Sequence, residues 1–146
     1  MRVEDIDAVL AIERQCLRPT WTREALLEEL GRDWAHLDVI RDGAAGVVAF
    51  ANYWKVADEV HLLNIATLPP QRGRGHATHL LTHMIEVART LACRLVTLEV
   101  RRSNAAAQRL YQRFSFRSIG VRPNYYSDDQ EDAVVMVLEL GSAAVP

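Results

Sequence analysis

Between Asn64 and Ala77 the chain reads Asn-Ile-Ala-Thr-Leu-Pro-Pro-Gln-Arg-Gly-Arg-Gly-His-Ala. A β-rich run is stopped by two prolines, passes through a glycine-rich turn and enters a helix. Such a passage leaves several backbone N–H groups unpaired side by side. With the positive end of the helix dipole, they make a site for phosphate. Gly73 and Gly75 let the backbone approach an oxygen with no Cβ in the way. Read alone, the same two glycines also suit a tight turn that binds nothing. Two other phosphate motifs are excluded: the Gly-Lys-Ser/Thr ending of a P-loop is absent. The three early glycines and following acidic residue of a dinucleotide fingerprint are absent too.

Glu99 lies between Leu98 and Val100 in a β-rich run, where a carboxylate is locally out of character. Alternation puts it on one face with Thr97 and Arg101, so it either faces solvent or serves as a general base. Tyr111 falls on a helical face with Ala107 and Leu110, where a packed tyrosine and a proton donor are both open readings. Asn104 is placed to cap that helix. Tyr125 and Tyr126 either pack at a sheet edge or wall a groove. Asp128, Asp129, Glu131 and Asp132 either form a solvated loop or attract a basic peptide tail. His79 and His83 share a helical face with no Cys or carboxylate beside them in sequence, which reads as a solvated face; no metal site is expected.

The elements that must position these groups follow from periodicity. Ile6, Val9, Ile12 and Cys16 recur at near-helical spacing from Asp5 to about Cys16. Thr22 is placed to cap a second helix carrying Leu26, Leu27 and Leu30, with Gly31 as its stop. Three strands follow: His36–Arg41, Gly46–Trp54 and Glu59–Leu68. Asp42 and Gly43 signal a hairpin between the first two. A helix beyond the glycines buries Ala77, Leu80, Leu81, Met84, Ile85 and Ala88. Leu95–Val100 is a strand, and Ser103 or Asn104 opens a helix bearing Ala107, Leu110, Tyr111 and Phe114. Strands at about Phe116–Arg122 and Ala133–Leu140 complete the series, and Gly141–Pro146 reads as a frayed tail. This order predicts an α+β fold with a mixed sheet rather than a doubly wound parallel one.

A chain of 146 residues fits one domain over 1–146. The net charge of -2 supplies no basic field for nucleic acid. No apolar run approaches the length of a membrane span and no signal peptide is evident. Cys16 and Cys93 lack metal or redox spacing, which suits small core residues in a reducing cytoplasm.

Arg72, Gly73, Arg74, Gly75, His76 and Ala77 resemble the signature of the GNAT superfamily: Arg or Gln, two free positions, Gly, one free position, then Gly or Ala. The resemblance continues through the Leu98–Ala107 run, Leu110, Tyr111, Phe116, Asn124–Tyr126, Glu131, Asp132 and the Trp21-Thr22 pair. This series is similar to the ribosomal-protein N-alanine acetyltransferases of that superfamily. It implies a GNAT fold, with a mostly antiparallel mixed sheet of six to seven strands and about four helices. It implies acetyl-CoA as co-substrate, with its pyrophosphate on the turn Gly73, Arg74, Gly75, His76, Ala77 and Thr78. The pantetheine arm then pairs along Ile65, Ala66 and Thr67, and Asn104 touches the cofactor as well as capping. Glu99 becomes the general base, acting directly or through water, and Tyr111 the general acid at the sulfur. The acceptor becomes a protein N-terminus, an alanine of a ribosomal protein, with Tyr125 and Tyr126 walling its groove. Direct attack with no covalent intermediate is expected, and oligomeric state is left open. A lysine side chain or small-molecule amine is the alternative acceptor, and non-catalytic acyl-CoA binding the alternative role.

Proton energetics favour the α-amine. With a pKa near 8 it costs about 1.4 kcal/mol to neutralise at pH 7, against roughly 4.6 kcal/mol for lysine. A phenol near 10 protonating a thiolate near 8.5 works about 2 kcal/mol uphill, so Tyr111 is expected to act mainly as a hydrogen-bond donor. Two departures from the family pattern stand out. The chain starts almost at the first helix where relatives have a strand, so that strand is absent or the start is shortened. Ser115 replaces the usual glycine after the helix and would carry a positive-φ cost.

Overall fold

The computed structural model describes residues 1–17 and 21–141. Helices α1 (Ile6–Cys16) and α2 (Arg23–Leu30) precede strands β1 (Ala35–Asp42), β2 (Gly46–Val56) and β3 (Glu59–Thr67). Then come α3 (His76–Thr90), β4 (Leu95–Arg101), α4 (Ala105–Arg113), β5 (Arg117–Arg122) and β6 (Ala133–Glu139). Among the described residues these strands form one sheet ordered β1-β2-β3-β4-β6-β5. Only β3 and β4 pair in parallel, because the α3 crossover returns the chain in the same direction. The predicted α+β class and mixed, mostly antiparallel sheet are therefore observed, with six strands. Apart from Gly141, the expected frayed tail lies outside the described residues.

Alternation along β2 divides the core. Ala49, Ala51 and Tyr53 point to one face, where they pack with Leu80, Leu81, Met84 and Ala88 of α3 and with Tyr111 of α4. Phe50 points to the other, against Ile6, Val9 and Ile12 of α1 and Leu26 of α2. Thr22 caps α2 by accepting the Ala25 N–H at 3.1 Å. Leu27, expected with the apolar face, is instead 41% exposed. The hairpin between β1 and β2 forms, but its turn is longer than the Asp42-Gly43 pair suggested. Asp42 pairs with Gly46, and Gly46 takes the positive φ of 72°.

Helix α4 ends in a Schellman motif: Phe116 N–H donates to Tyr111 C=O at 3.1 Å and Ser115 N–H to Gln112 C=O at 2.9 Å. Ser115 holds φ 71° there, the strain expected from the missing glycine. The motif seats the Phe116 ring 5.7 Å from that of Tyr111, so the helix terminus fixes the phenol's position.

Near the end of α1, Glu13 is only 1% exposed and accepts the Trp21 N–H at 3.2 Å. Burial, opposed by that hydrogen bond, pushes its carboxyl up to about 7. The folded state thus prefers the protonated acid. Stability from this group is fullest below the unfolded value and declines as pH rises to about 7. The total loss is about 3 kcal/mol at roughly 1.4 kcal/mol per unit. Gln at this position keeps the acceptor and removes the charge. Glu13→Gln is expected to unfold at higher denaturant than wild type at pH 8 and at about the same denaturant near pH 4.5. A gap independent of pH would contradict this.

Candidate functional site

The parallel ladder between β3 and β4 stops early, with its last pair at Leu62 and Leu98. The cause lies on the other side of β3. Tyr53 pairs with Leu62 and Asn52 with Asn64, leaving Leu63 as an extra residue, a β-bulge. A bulge bends its strand and increases local twist. Beyond it, β3 from Leu63 to Thr67 stays paired to β2, and β4 from Glu99 to Arg101 stays paired to β6. The two strands splay apart and open a gap in the middle of the sheet. Backbone groups on the gap side of β3 are left without the parallel ladder, a free edge for an extended polyamide chain.

A cleft of about 570 Å³ fills this gap. One end is the start of α3. Its N-cap is Gly75, at φ 83°, which has no side chain to satisfy the first helical amides. The contrast with Thr22 on α2 and Asn104 on α4 is direct, since each of those accepts an amide hydrogen bond. An ideal Cβ at Gly73 or Gly75 would meet no atom of the described residues within 4 Å, so there is room for a ligand beside the turn. The buried Nε2 of His76, on the first helical residue, has no hydrogen-bond partner among the described residues. These features suit an anion with several oxygens.

Glu99 and Tyr111 line the same cleft. The Glu99 side chain is 25% exposed, with Arg122 Nε at 3.6 Å as its charged neighbour. Tyr111 is buried, and desolvation, with a smaller contribution from Tyr126, holds its phenol well above the usual range. Tyr126 forms part of the wall. Burial, aided by Tyr125, Glu99 and Glu131 and opposed by Arg101, pushes its phenol up to about 12. The gap thus joins an anion seat, a strand edge, a carboxylate and a neutral phenol.

Two comparisons decide what kind of protein carries this site. The chain matches the family model described as Acetyltransferase (GNAT) family over residues 6–116. An Escherichia coli K12 protein named [Ribosomal protein bS18]-alanine N-acetyltransferase is 32% identical over 142 residues, 96% of this chain and 95% of its own. The chain belongs to the GNAT family of acetyltransferases. A Bacillus subtilis protein, provisionally given the same bS18-alanine N-acetyltransferase name, is 38% identical over 138 residues, covering 93% of this chain and 90% of its own. The crystal structure of the Escherichia coli ribosomal-protein-S18-alanine N-acetyltransferase superposes with a TM-score of 0.86 at 29% identity. That match covers 100% of this chain and 96% of the other.

Most of the GNAT residues singled out in the sequence come together. Ile65, Ala66, Thr67, Gly73, Gly75, His76, Ala77, Thr78 and Asn104 all line the cleft with Glu99 and Tyr111. Arg74 and Tyr125 do not line it. Arg74 is exposed, and Tyr125 is 47% exposed with its ring edge-on to Tyr126. The expected pair of core cysteines is corrected: Cys93 is buried, but Cys16 is half-exposed on the cleft wall. The Arg72 guanidinium donates to its Sγ at 3.3 Å. His79 and His83 lie on the exposed helical face expected for them, and the fold brings the Asp38 carboxylate to 3.7 Å from the His83 Nε2. Arg101 lines the cleft and was missed as a site residue; its only sequence signal was sharing a strand face with Glu99.

Proposed function

We propose that this chain transfers acetyl from acetyl-CoA directly to the α-amine of an N-terminal alanine, with a ribosomal protein as acceptor in the cytoplasm. The observation that carries the reading is the splayed cleft, with an uncapped helix N-terminus at one end and Glu99 and Tyr111 along its walls. Names of relatives across nearly the full chain support the acceptor. The pyrophosphate sits on the amides from Gly73 to Thr78. The amides of the pantetheine arm pair with the free edge at Ile65, Ala66 and Thr67. Asn104 caps α4 with its side-chain oxygen, accepting from Ala107 N–H at 3.1 Å, and lines the cleft where it would also touch the cofactor.

In the transfer, Glu99 takes a proton from the ammonium, directly or through water. The neutral amine attacks the thioester carbonyl, the C–S bond breaks as Tyr111 donates a hydrogen bond to the departing sulfur, and the amine's second proton passes to the thiolate, which leaves as the thiol. No covalent enzyme intermediate is needed. Cys16 is close enough to make this a real test: Cys16→Ser should retain activity, whereas an acyl-cysteine route would lose it.

Acceptor identity is tested by rates on an Ala-initiated basic peptide, an N-blocked lysine peptide and a polyamine. The α-amine should be preferred at least tenfold at pH 7, because lysine pays about 3 kcal/mol more to become neutral. Equal rates on the other two would overturn this reading. Mass spectrometry of ribosomal-protein N-termini, with and without the enzyme, then identifies the acceptor.

The seat for the diphosphate makes a further prediction. Gly75→Val places a β-branched residue at φ 83°, a conformation that costs L-residues about 1–2 kcal/mol. Any relaxation tilts the first amides of α3. Calorimetric titration is expected to show acetyl-CoA Kd raised about tenfold or more, and an unchanged Kd would remove the turn from the binding site.

A further inference from the structure

Arg101 follows Glu99 by two residues on β4 and points to the same face, with its side chain 23% exposed. Its guanidinium reaches out of the sheet to the loop between β5 and β6. There Nη2 donates to both Asp128 oxygens at 2.9 and 3.0 Å, and Nη1 to both Asp129 oxygens at 3.0 Å. Nη1 also donates to Glu131 at 3.3 Å, and the guanidinium carbon lies 4.0 Å from the Tyr126 ring centroid. Burial works against this cation, but the three carboxylates outweigh it and hold it firmly charged.

Short-range contacts also shape the loop tip: Glu131 N–H donates to Asp129 at 3.0 Å and Gln130 Nε2 to Ser127 C=O at 3.4 Å. Tyr126 and Glu131 share one 3.2 Å backbone hydrogen bond, Gln130 N–H returns to Tyr126 C=O, and Gln130 holds φ 60°. Glu131 is additionally tied to Ser103 N–H at 2.7 Å, so the root of the loop is anchored independently of its tip. A second cleft of about 240 Å³ runs between this tip and the end of α1. It shares Cys16, Leu17 and Arg101 with the main cleft, so Arg101 stands where the two meet.

We propose that Arg101 is a positioning residue for the acceptor, latching the tip of the β5–β6 loop so that Tyr126 walls the reacting end of the cleft. The inference rests on the N-terminal acetyltransferase reading for what enters that end. The physical reason is the match of one planar fork to two carboxylates and a ring face. Without the cation, Asp128, Asp129 and Glu131 lose the fork that bridges all three, Arg14 only lining the cleft beside them, and the tip opens. A lysine offers one point charge in place of the fork and restores the arrangement only in part.

The test is Arg101→Met and Arg101→Lys, read by kinetics, acetyl-CoA titration and amide hydrogen exchange. In Arg101→Met the KM for the Ala peptide should rise about tenfold to a hundredfold, the scale of lost charge-assisted hydrogen bonds. Turnover at saturating peptide and acetyl-CoA Kd should stay within about threefold of wild type, with Arg101→Lys intermediate in KM. Exchange should quicken in residues 125–131 and stay unchanged in α3. An unmoved KM, or a Kd that shifts by the same factor, overturns the latch. Should wild type itself fail to acetylate the peptide, the functional reading falls separately. Exchange then decides: faster exchange at 125–131 upholds the latch and unchanged exchange overturns it.

Discussion

Glu99→Gln is expected to lower kcat by about 10²–10⁴-fold, the range for loss of a positioned proton acceptor, while acetyl-CoA Kd stays put. The substitution keeps side-chain volume and removes the acceptor of the ammonium proton. Among the described residues its ion-pair partner is Arg122, 59% exposed at 3.6 Å, and a pair that exposed contributes little to folding. The loss therefore reports chemistry rather than collapse of the site. The pH profile separates the two roles of a carboxylate in this position. On the proposed mechanism wild type binds the ammonium and removes its proton, so its kcat/KM should vary little below the amine pKa. The variant depends on amine that is already neutral, so its kcat/KM should climb about tenfold per pH unit up to about pH 8 and then level. Parallel profiles for the two enzymes, whatever the size of the drop, would show that Glu99 is not the base.

What the sequence disclosed and what it concealed divide along the range of the interactions. The helices were legible because their signals are local: Leu80, Leu81, Met84 and Ala88 repeat at the helical period, and Thr22 and Asn104 cap the amides three residues on. The glycine turn proposed to hold the anion was legible for the same reason, since Gly73, Gly75 and the start of α3 are adjacent in the chain. The gap beside it was not. It depends on Leu63 being skipped in the register with β2, and nothing in the Leu62-Leu63-Asn64 run marks one residue as extra. The β4-β6-β5 order likewise comes from pairing across more than thirty residues of chain. Arg101 was overlooked because its partners are 27 to 30 residues away, and an arginine on an alternating strand looks like any solvated face. Cys16 was misread as core because its helix is amphipathic. Its own position lies at the last turn, where it packs against the edge of that cluster and reaches the Thr67 carbonyl at 3.5 Å but also lines the cleft. Resemblance to the GNAT pattern supplied the long-range information that periodicity cannot.

Tyr111→Phe tests the other half of the chemistry, and its expected size follows from burial. Desolvation holds this phenol well above its ordinary range, which makes it a poorer acid than free tyrosine toward a thiolate leaving group near 8.5. Full proton transfer ahead of C–S cleavage is therefore unfavourable. What the hydroxyl supplies is a hydrogen bond that strengthens as charge gathers on sulfur. A hydrogen bond to a charged group contributes about 1.5–3 kcal/mol, so kcat should fall roughly 10–150-fold. The phenylalanine ring keeps its place against Phe116 at the end of α4, so acetyl-CoA Kd and thermal unfolding should change little. The raised pKa adds a second expectation with a definite sign. A group titrating far above its usual range stays protonated through alkaline pH, so wild-type kcat should not decline up to about pH 10 through loss of this proton. An alkaline fall in kcat that disappears in Tyr111→Phe would mean the phenol ionises in that range. A drop in kcat below about threefold would mean the sulfur leaves without its help.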